Sequence, residues 1–287
     1  MKNDYFVLDT HIHIGVSMGA QFIAEEDLIP YMDKYNINMA FVMQHTQGYT
    51  HKTPEWNPYT GNDYIAKIQR KFPNRVIGLA TINPWFQAPK KYSLPIERRG
   101  QEFDRIHRSP SLEEIERCMW DLELHGLKIH PMESGYPIQH RALLHPIMDR
   151  MLSCQNQTGR RMVVVIHAAS DSIYNTPEGI ADLASHYPDL LFIMAHAGFI
   201  WNGRTMLQAI GHLDNVMIDL TTMPQKSVVL SAYEQLGPER FTAGSDAPFA
   251  TPTIKDAIVD DICNNKEEKK LVLGGNLIRY LEIKEAT

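Results

Sequence analysis

The residues best suited to chemistry are histidines and acids set at intervals along the chain: His11-Ile12-His13, Lys128 and His130, His167, His196, and Gly244-Ser245-Asp246. An HxH pair alone carries little weight. With 13 histidines in 287 residues, chance supplies one in about every second chain of this composition. Position carries more, because each of these residues closes or follows a short apolar run of strand type. In a strand, residues i and i+2 point to the same side, so His11 and His13 can reach one cation together. Three neutral imidazoles suit Zn²⁺ and leave a coordination position for water. Such an ion lowers the pKa of bound water to about 7. A carboxylate beside it can take a proton and return it later, and Asp246 is the candidate.

The elements that must position these residues can be read from the same pattern. Eight apolar runs are expected to be strands: Tyr5–Asp9, Met39–Met43, Val76–Ala80, Gly126–Ile129, Met162–Ile166, Leu191–Ala195, Val216–Asp219 and Phe241–Ala243. Several, such as MVVVI and LFIMA, are apolar throughout, as strands covered on both faces require. Between them lie segments of helical period: Glu25–Tyr35, Asn62–Phe72, Ser111–His125, Arg141–Gln157, Pro177–His186, Arg204–Leu213, Ser227–Leu236 and Thr253–Asn264. The third opens with SLEE, a capping-box pattern with Ser111 at the N-cap. Eight strand–helix units in this length predict a closed (β/α)8 barrel, with a doubly wound open sheet as the rival. The active site of such a barrel forms at the C-terminal ends of its strands, where the chemical residues cluster. The stretch from Asn83 to Pro110 breaks the rhythm with four prolines and no period. It reads as a long binding or lid loop after the third strand. Trp85, Arg99, Arg105, Arg108 and Trp201 fall in rim loops and are candidates to shape the pocket. The C-terminal stretch after Asn265 reads as two short helices split at Gly274–Gly275, and residues 1–287 read as a single domain.

In order, HIH, GLKIHP, VVIHA, MAHAG and GSDAPF resemble the amidohydrolase superfamily, and more closely its amidohydrolase-2 branch. That branch includes metal-dependent hydrolases of TIM-barrel form and the aminocarboxymuconate-semialdehyde decarboxylase group. The closing GGNLIRYL resembles the C-terminal helix of the same branch. The resemblance implies His11, His13 and His167 as metal ligands, with Asp246 as ligand and proton shuttle. It implies that His196 orients the metal-bound water or polarises the substrate. Lys128 is implied either as a cationic substrate contact at a mononuclear site or, as in binuclear relatives, as a carboxylated bridge between two metals. The cofactor implied is one divalent ion, Zn²⁺ foremost and Mn²⁺ next. His130, Trp85 and Trp201 join Lys128 as candidate substrate contacts. The segment AHAGFIWNG lacks the dense glycine motif that decarboxylase relatives carry after the sixth-strand histidine. The expected reaction is therefore hydrolysis of an ester, lactone or amide in a small carboxylate-bearing molecule, with non-oxidative decarboxylation of an unsaturated or aromatic acid as the alternative.

Composition narrows the remaining classes. The 28 Lys and Arg against 34 Asp and Glu give a net charge of −6, and no basic block is present, so a nucleic-acid partner is not expected. The longest apolar stretch, Leu190–Trp201, is about 12 residues, whereas a bilayer-spanning helix needs roughly 20. The opening MKNDYFVLD has no apolar signal region. The three cysteines form no CxxC pair and read as reduced thiols. A cytoplasmic enzyme is expected, with a homodimer as the commonest assembly of soluble proteins. The rival from another class is a barrel that has lost its metal and acts as a binding module. The complete set of ligand-type residues weighs against it.

Overall fold

The computed structural model describes residues 5–17, 20–21, 23–45, 58–82, 110–223 and 225–283. The predicted loop from Asn83, with Trp85, Arg99, Arg105 and Arg108, lies outside them. Eight parallel strands run around a barrel in chain order: β1 Leu8–His13, β2 Met39–Met43, β3 Val76–Gly78 continuing as Ala80–Thr81, β4 Gly126–Ile129, β5 Val163–His167, β6 Leu191–Ala195, β7 Val216–Asp219 and β8 Phe241–Thr242. The first half of β3 pairs with β2 and its second half with β4. At the seam between β8 and β1 a regular ladder gives way to two backbone hydrogen bonds. Thr10 donates to Ala243 at 3.3 Å and His13 donates to Ala247 at 2.7 Å. The helices follow in turn: α1 Glu25–Lys34, α2 Pro58–Lys71, α3 Pro110–Trp120, α4 Arg141–Thr158, α5 Pro177–Ser185, α6 Phe199–Ile210, α7 Lys226–Leu236 and α8 Pro252–Ile262. No helix among the described residues is long and apolar enough to cross a membrane. Cys118, Cys154 and Cys263 are free and buried.

Side chains alternate between two buried layers, as period-2 strands require. Met39, Phe41 and Met43 of β2, Val163 and Val165 of β5, and Leu191, Ile193 and Ala195 of β6 form the barrel interior. Their neighbours Val42, Val164, Ile166, Phe192 and Met194 pack outward with the helices. The same parity places Lys128 and His167 inward, between or beyond outward-facing Leu127, Ile129 and Ile166. Strand β1 departs from it. Leu8 packs in the interior and Ile12 in the outer layer. The pairing register with β2 shifts between Asp9 and Ile12. This irregularity adds the one residue that lets His11 and His13 share the interior with Leu8. The strand therefore runs through the HxH pair, where the apolar pattern alone places its end at Asp9.

Two other expectations shift. Helix α3 begins at Pro110, so Ser111 sits in its first turn and not at the N-cap. Helix α6 begins at Phe199, five residues before the periodic pattern, because the chain leaves β6 in a tight left-handed turn and enters the helix directly. The C-terminal segments Lys266–Lys270 and Asn276–Leu281 flank a kink at Gly274–Gly275. Leu277 and Ile278 join the interior cluster. Asn276 Nδ2 donates to the carbonyls of Pro238 and Phe241 at 2.8 and 2.9 Å. A Cβ on Gly274 would lie 2.9 Å from the Leu8 nitrogen, so only glycine allows this segment to close against β1.

Where β3 changes partners, buried Asn62 of α2 supplies the missing bonds. It accepts from the Thr81 amide at 2.8 Å and donates to the Thr81 carbonyl at 3.1 Å and to Glu114 at 2.9 Å. Asn62→Ala leaves a buried strand amide, carbonyl and carboxylate short of partners. It is expected to cost about 2–4 kcal/mol, read as a fall in the urea midpoint. An unchanged midpoint contradicts this role.

Candidate active site

Six imidazoles form a closed ring at the C-terminal ends of the strands. His11 and His13 come from β1, His45 lies two residues past β2, His130 follows β4, His167 closes β5 and His196 follows β6. Successive ring centroids are 4.9 Å apart for His11–His13, 5.3 Å for His13–His45 and 6.2 Å for His45–His130. The circuit continues at 3.7 Å for His130–His167, which are stacked, 4.6 Å for His167–His196 and 5.2 Å for His196–His11. Lys128 Nζ lies 2.8 Å from His11 Nε2. Asp246 Oδ1 lies 3.2 Å from His13 Nε2 and 3.6 Å from His11 Nε2. The Phe249 ring leans on His13 and His45 at 5.6 and 5.0 Å.

Backbone geometry fixes these positions. Five of the eight non-glycine residues with positive φ among the described residues lie here: His196, Ala197, Phe199, Thr222 and Asp246. Such conformations are costly and persist where surroundings over-determine them. Thr222 and the Thr221 carbonyl hold His196 Nδ1, at 2.9 and 3.3 Å. Behind β1, Asp9 Oδ1 accepts from the amides of His11 and Ser245 at 3.0 and 2.9 Å. Asp219 accepts from Thr10 and Thr221 hydroxyls at 2.9 and 2.6 Å and comes within 3.7 Å of His11 Nδ1. A Cβ on Gly244 would sit 2.5 Å from both Thr10 Oγ1 and Thr221 Oγ1. The GSD motif thus reads as a glycine for close approach, a serine amide for Asp9 and an acid delivered to the ring.

Electrostatics set the protonation states. Burial holds His11, His130 and His167 well below the ordinary histidine value, helped by neighbouring imidazoles and Lys128. Burial lowers His13 and His196 to about 4, against the opposing pull of Asp246. The rings are neutral at pH 7, the form that binds metal. Burial lowers Lys128 to about 8, with Asp246, Asp219, Glu133 and Asp171 resisting, so it remains mostly cationic at pH 7. Burial works to raise Asp246, but the hydrogen bond to His13 and the charges of His196, His13 and Lys128 hold it at about 2. Burial lifts Asp219 to about 7.

The donor set fits a divalent ion. His11, His13 and Asp246 each offer one ligand atom, all within 4.8 Å of one another. The Nδ1 atoms of His11 and His13 are buried and make no hydrogen bond. His167 belongs to the ring but not to this trio; its Nε2 pairs with Asp171 at 2.8 Å. His130 stacks on His167, Lys128 reaches the trio through His11, and His196 borders both. Trp201 is 65% exposed beneath the Arg204 guanidinium and is not part of the ring; Trp85 lies outside the described residues. Sequence reasoning passed over His45, Glu133, Asp171 and Asp219. The rule that found the others, a polar residue at the end of a strand, would have found His45 and Asp219 as well.

The Amidohydro_2 model, describing an amidohydrolase family, matches residues 9–283. The chain belongs to this amidohydrolase family. A search of curated proteins returns no match. Among solved structures, the chain is similar to 5-carboxyvanillate decarboxylase from Sphingomonas paucimobilis, with 16% identity and a TM-score of 0.66 over 98% of this chain and 100% of that one. It is also similar to 5-carboxyvanillate decarboxylase from Novosphingobium aromaticivorans, complexed with manganese and 4-hydroxy-3-methoxy-5-nitrobenzoic acid, with 15% identity and a TM-score of 0.68 over 98% and 97% of the two chains. For 2,6-dihydroxybenzoate decarboxylase from Rhizobium the values are 14% and 0.65 over 97% and 99%. At these identities the likeness establishes the (β/α)8 fold of the amidohydrolase family.

The neutral ring has a consequence for stability. Five of its histidines have folded pKa values below the unfolded value of about 6.5, so the unfolded chain binds more protons as the pH falls. The stability these rings contribute is present above pH 6.5 and is lost as the pH drops through their folded values, about 4 for His13 and His196. Asp9 and Asp219, both raised by burial, act oppositely, favouring the fold in acid and losing that contribution as the pH rises, Asp219 through about 7, but they are two groups against five. Metal-free protein is therefore expected to lose melting temperature from pH 7 to pH 5, with more than one proton taken up on unfolding. A flat profile contradicts the neutral ring.

Proposed function

We infer that the protein is a single-domain, metal-dependent lyase over residues 1–287 that decarboxylates a small unsaturated or aromatic acid without oxidation. The observation that carries this reading is the Lys128 ammonium. It is 1% exposed, and its one hydrogen bond among the described residues goes to neutral His11. A buried charge calls for a charged partner, and a substrate carboxylate supplies it as a charge-assisted contact. Support also comes from the decarboxylases among the structural relatives, one of them holding manganese. Hydrolysis, expected from the departure of AHAGFIWNG from the decarboxylase pattern, draws on the same residues. It stands second because the solved structures that share the fold include several decarboxylases.

His11, His13 and Asp246 would hold the divalent ion, with His167 as the further imidazole. When bound, the ion supplies Lewis acidity that orients and polarises the substrate. Either Mn²⁺ or Zn²⁺ suits imidazole and carboxylate donors. Lys128 binds the substrate anion. His196, held through Nδ1 by Thr222, presents its Nε2 edge to the site. The balance is R–COO⁻ plus one proton giving R–H and CO₂. Asp246, ionised in the resting site, would take up a proton from solvent once the acid is bound and pass it to the carbon that loses the carboxylate.

Wild-type protein is expected to retain one transition ion per chain. The double substitution His11→Ala, His13→Ala is expected to abolish retention, measured by elemental analysis of folded protein. Unchanged stoichiometry contradicts the ligand assignment. With Mn²⁺ loaded, a panel of aromatic and unsaturated carboxylates is expected to release CO₂ in proportion to product, and Lys128→Met to lower kcat/KM by about a hundredfold. Incorporation of ¹⁸O from water into the product without CO₂ would restore the hydrolase reading.

A further inference from the structure

One buried acid at the rim is used neither by the ion site nor by the proton step. Glu133 follows β4 in the short helix Pro131–Ser134, and its side chain is only 7% exposed. Its Oε1 lies 2.9 Å from His45 Nε2 and 3.8 Å from His130 Nε2. Its Oε2 is buried and makes no hydrogen bond among the described residues. With Oε1 beside two imidazoles of the ring and the side chain buried, the carboxylate faces the ring and not the outer surface. The tautomer of His130 follows from its contacts. Its Nδ1 accepts from the Glu133 amide at 3.4 Å, which leaves the proton on Nε2, turned toward Glu133. Neither this nitrogen nor the His45 Nε2–H that donates to Glu133 is available to coordinate an ion. The cluster is therefore a hydrogen-bonding site.

We propose that Glu133, oriented by His45 and His130, is the acceptor for a hydroxyl group on the substrate, set one imidazole away from the His11–His13–Asp246 trio. The His45 N–H donates to Oε1, and the His130 edge and Lys128 add positive potential nearby, so the open Oε2 calls for a neutral O–H and not a second cation. The carboxylate end of the ligand goes to Lys128, and the hydroxyl end goes to Glu133. The Phe249 ring packs edge-on to His13 and tilted against His45 on the same side of the ring. The site then selects hydroxylated acids over unsubstituted ones, because an acid lacking the hydroxyl strands a buried carboxylate oxygen.

The inference rests on the carboxylate-binding reading above, and its test is one of binding and does not need turnover. Mn²⁺-loaded full-length protein is titrated calorimetrically with benzoate and with 2-, 3- and 4-hydroxybenzoate. At least one hydroxy acid is expected to bind about 10- to 100-fold tighter than benzoate, as a hydrogen bond to a charged group supplies. In Glu133→Gln, which places an amide donor or a weaker acceptor at the same point, and in Glu133→Ala, that preference is expected to shrink below threefold while benzoate binding changes little. Melting temperature and metal content of each variant confirm that the fold and ion site persist. A preference that survives both substitutions, or its absence in the wild type, overturns the role of Glu133. Failure of all four acids to bind overturns the carboxylate reading and this inference together. Intact hydroxyl selection without CO₂ release from any of the four acids sinks only the decarboxylase assignment.

Discussion

Burial in one small, dry volume keeps His11, His13, His130, His167 and His196 uncharged. Each added proton there would meet desolvation and the repulsion of its neighbours. The barrel enforces that state by drawing the rings from β1, β2, β4, β5 and β6 into a closed circuit and burying them. It then admits an ammonium, Lys128, whose burial Asp246, Asp219, Glu133 and Asp171 offset only in part. The neutral rings suit the site to a cation, and the lysine suits it to an anion. On the proposed reading, metal affinity and acid binding would be two results of one electrostatic arrangement.

Much of this was legible in the sequence, for physical reasons that differ by element. Strands β2, β4, β6 and β7 coincide with their apolar runs because both faces are buried and turns bound them closely. The order of chemical motifs placed His11, His13, Lys128, His130, His167 and His196 at one end of the barrel, and the structure gathers them there. What escaped was whatever depends on local backbone irregularity. The register shift in β1 has no composition signal, so the strand appeared to stop before the histidines it carries. The left-handed run at His196–Phe199 hid the start of α6 inside an apolar stretch.

The carboxylates were the other blind spot. Asp171, Asp219 and Glu133 look like ordinary loop or strand-end acids, and only the fold reveals that each faces an imidazole. Asp171 sits four residues past His167 and Asp219 beside Thr221, so their partners are near in sequence. The contact of Asp219 with His11 spans most of the chain. Residues that govern the charge of the site are harder to see than those that form it, because their function lies in proximity alone.

The irregularity in β1 leads further. Strand parity is binary, so a single residue decides which layer His11 and His13 enter. Were β1 to alternate regularly from Leu8 with no register shift, Thr10 and Ile12 would face the lumen and both imidazoles would turn toward the helices. The surrounding seven strands would have little reason to rearrange. The pairing register of one strand, and not its composition, thus separates this ring from an inert scaffold of the same architecture.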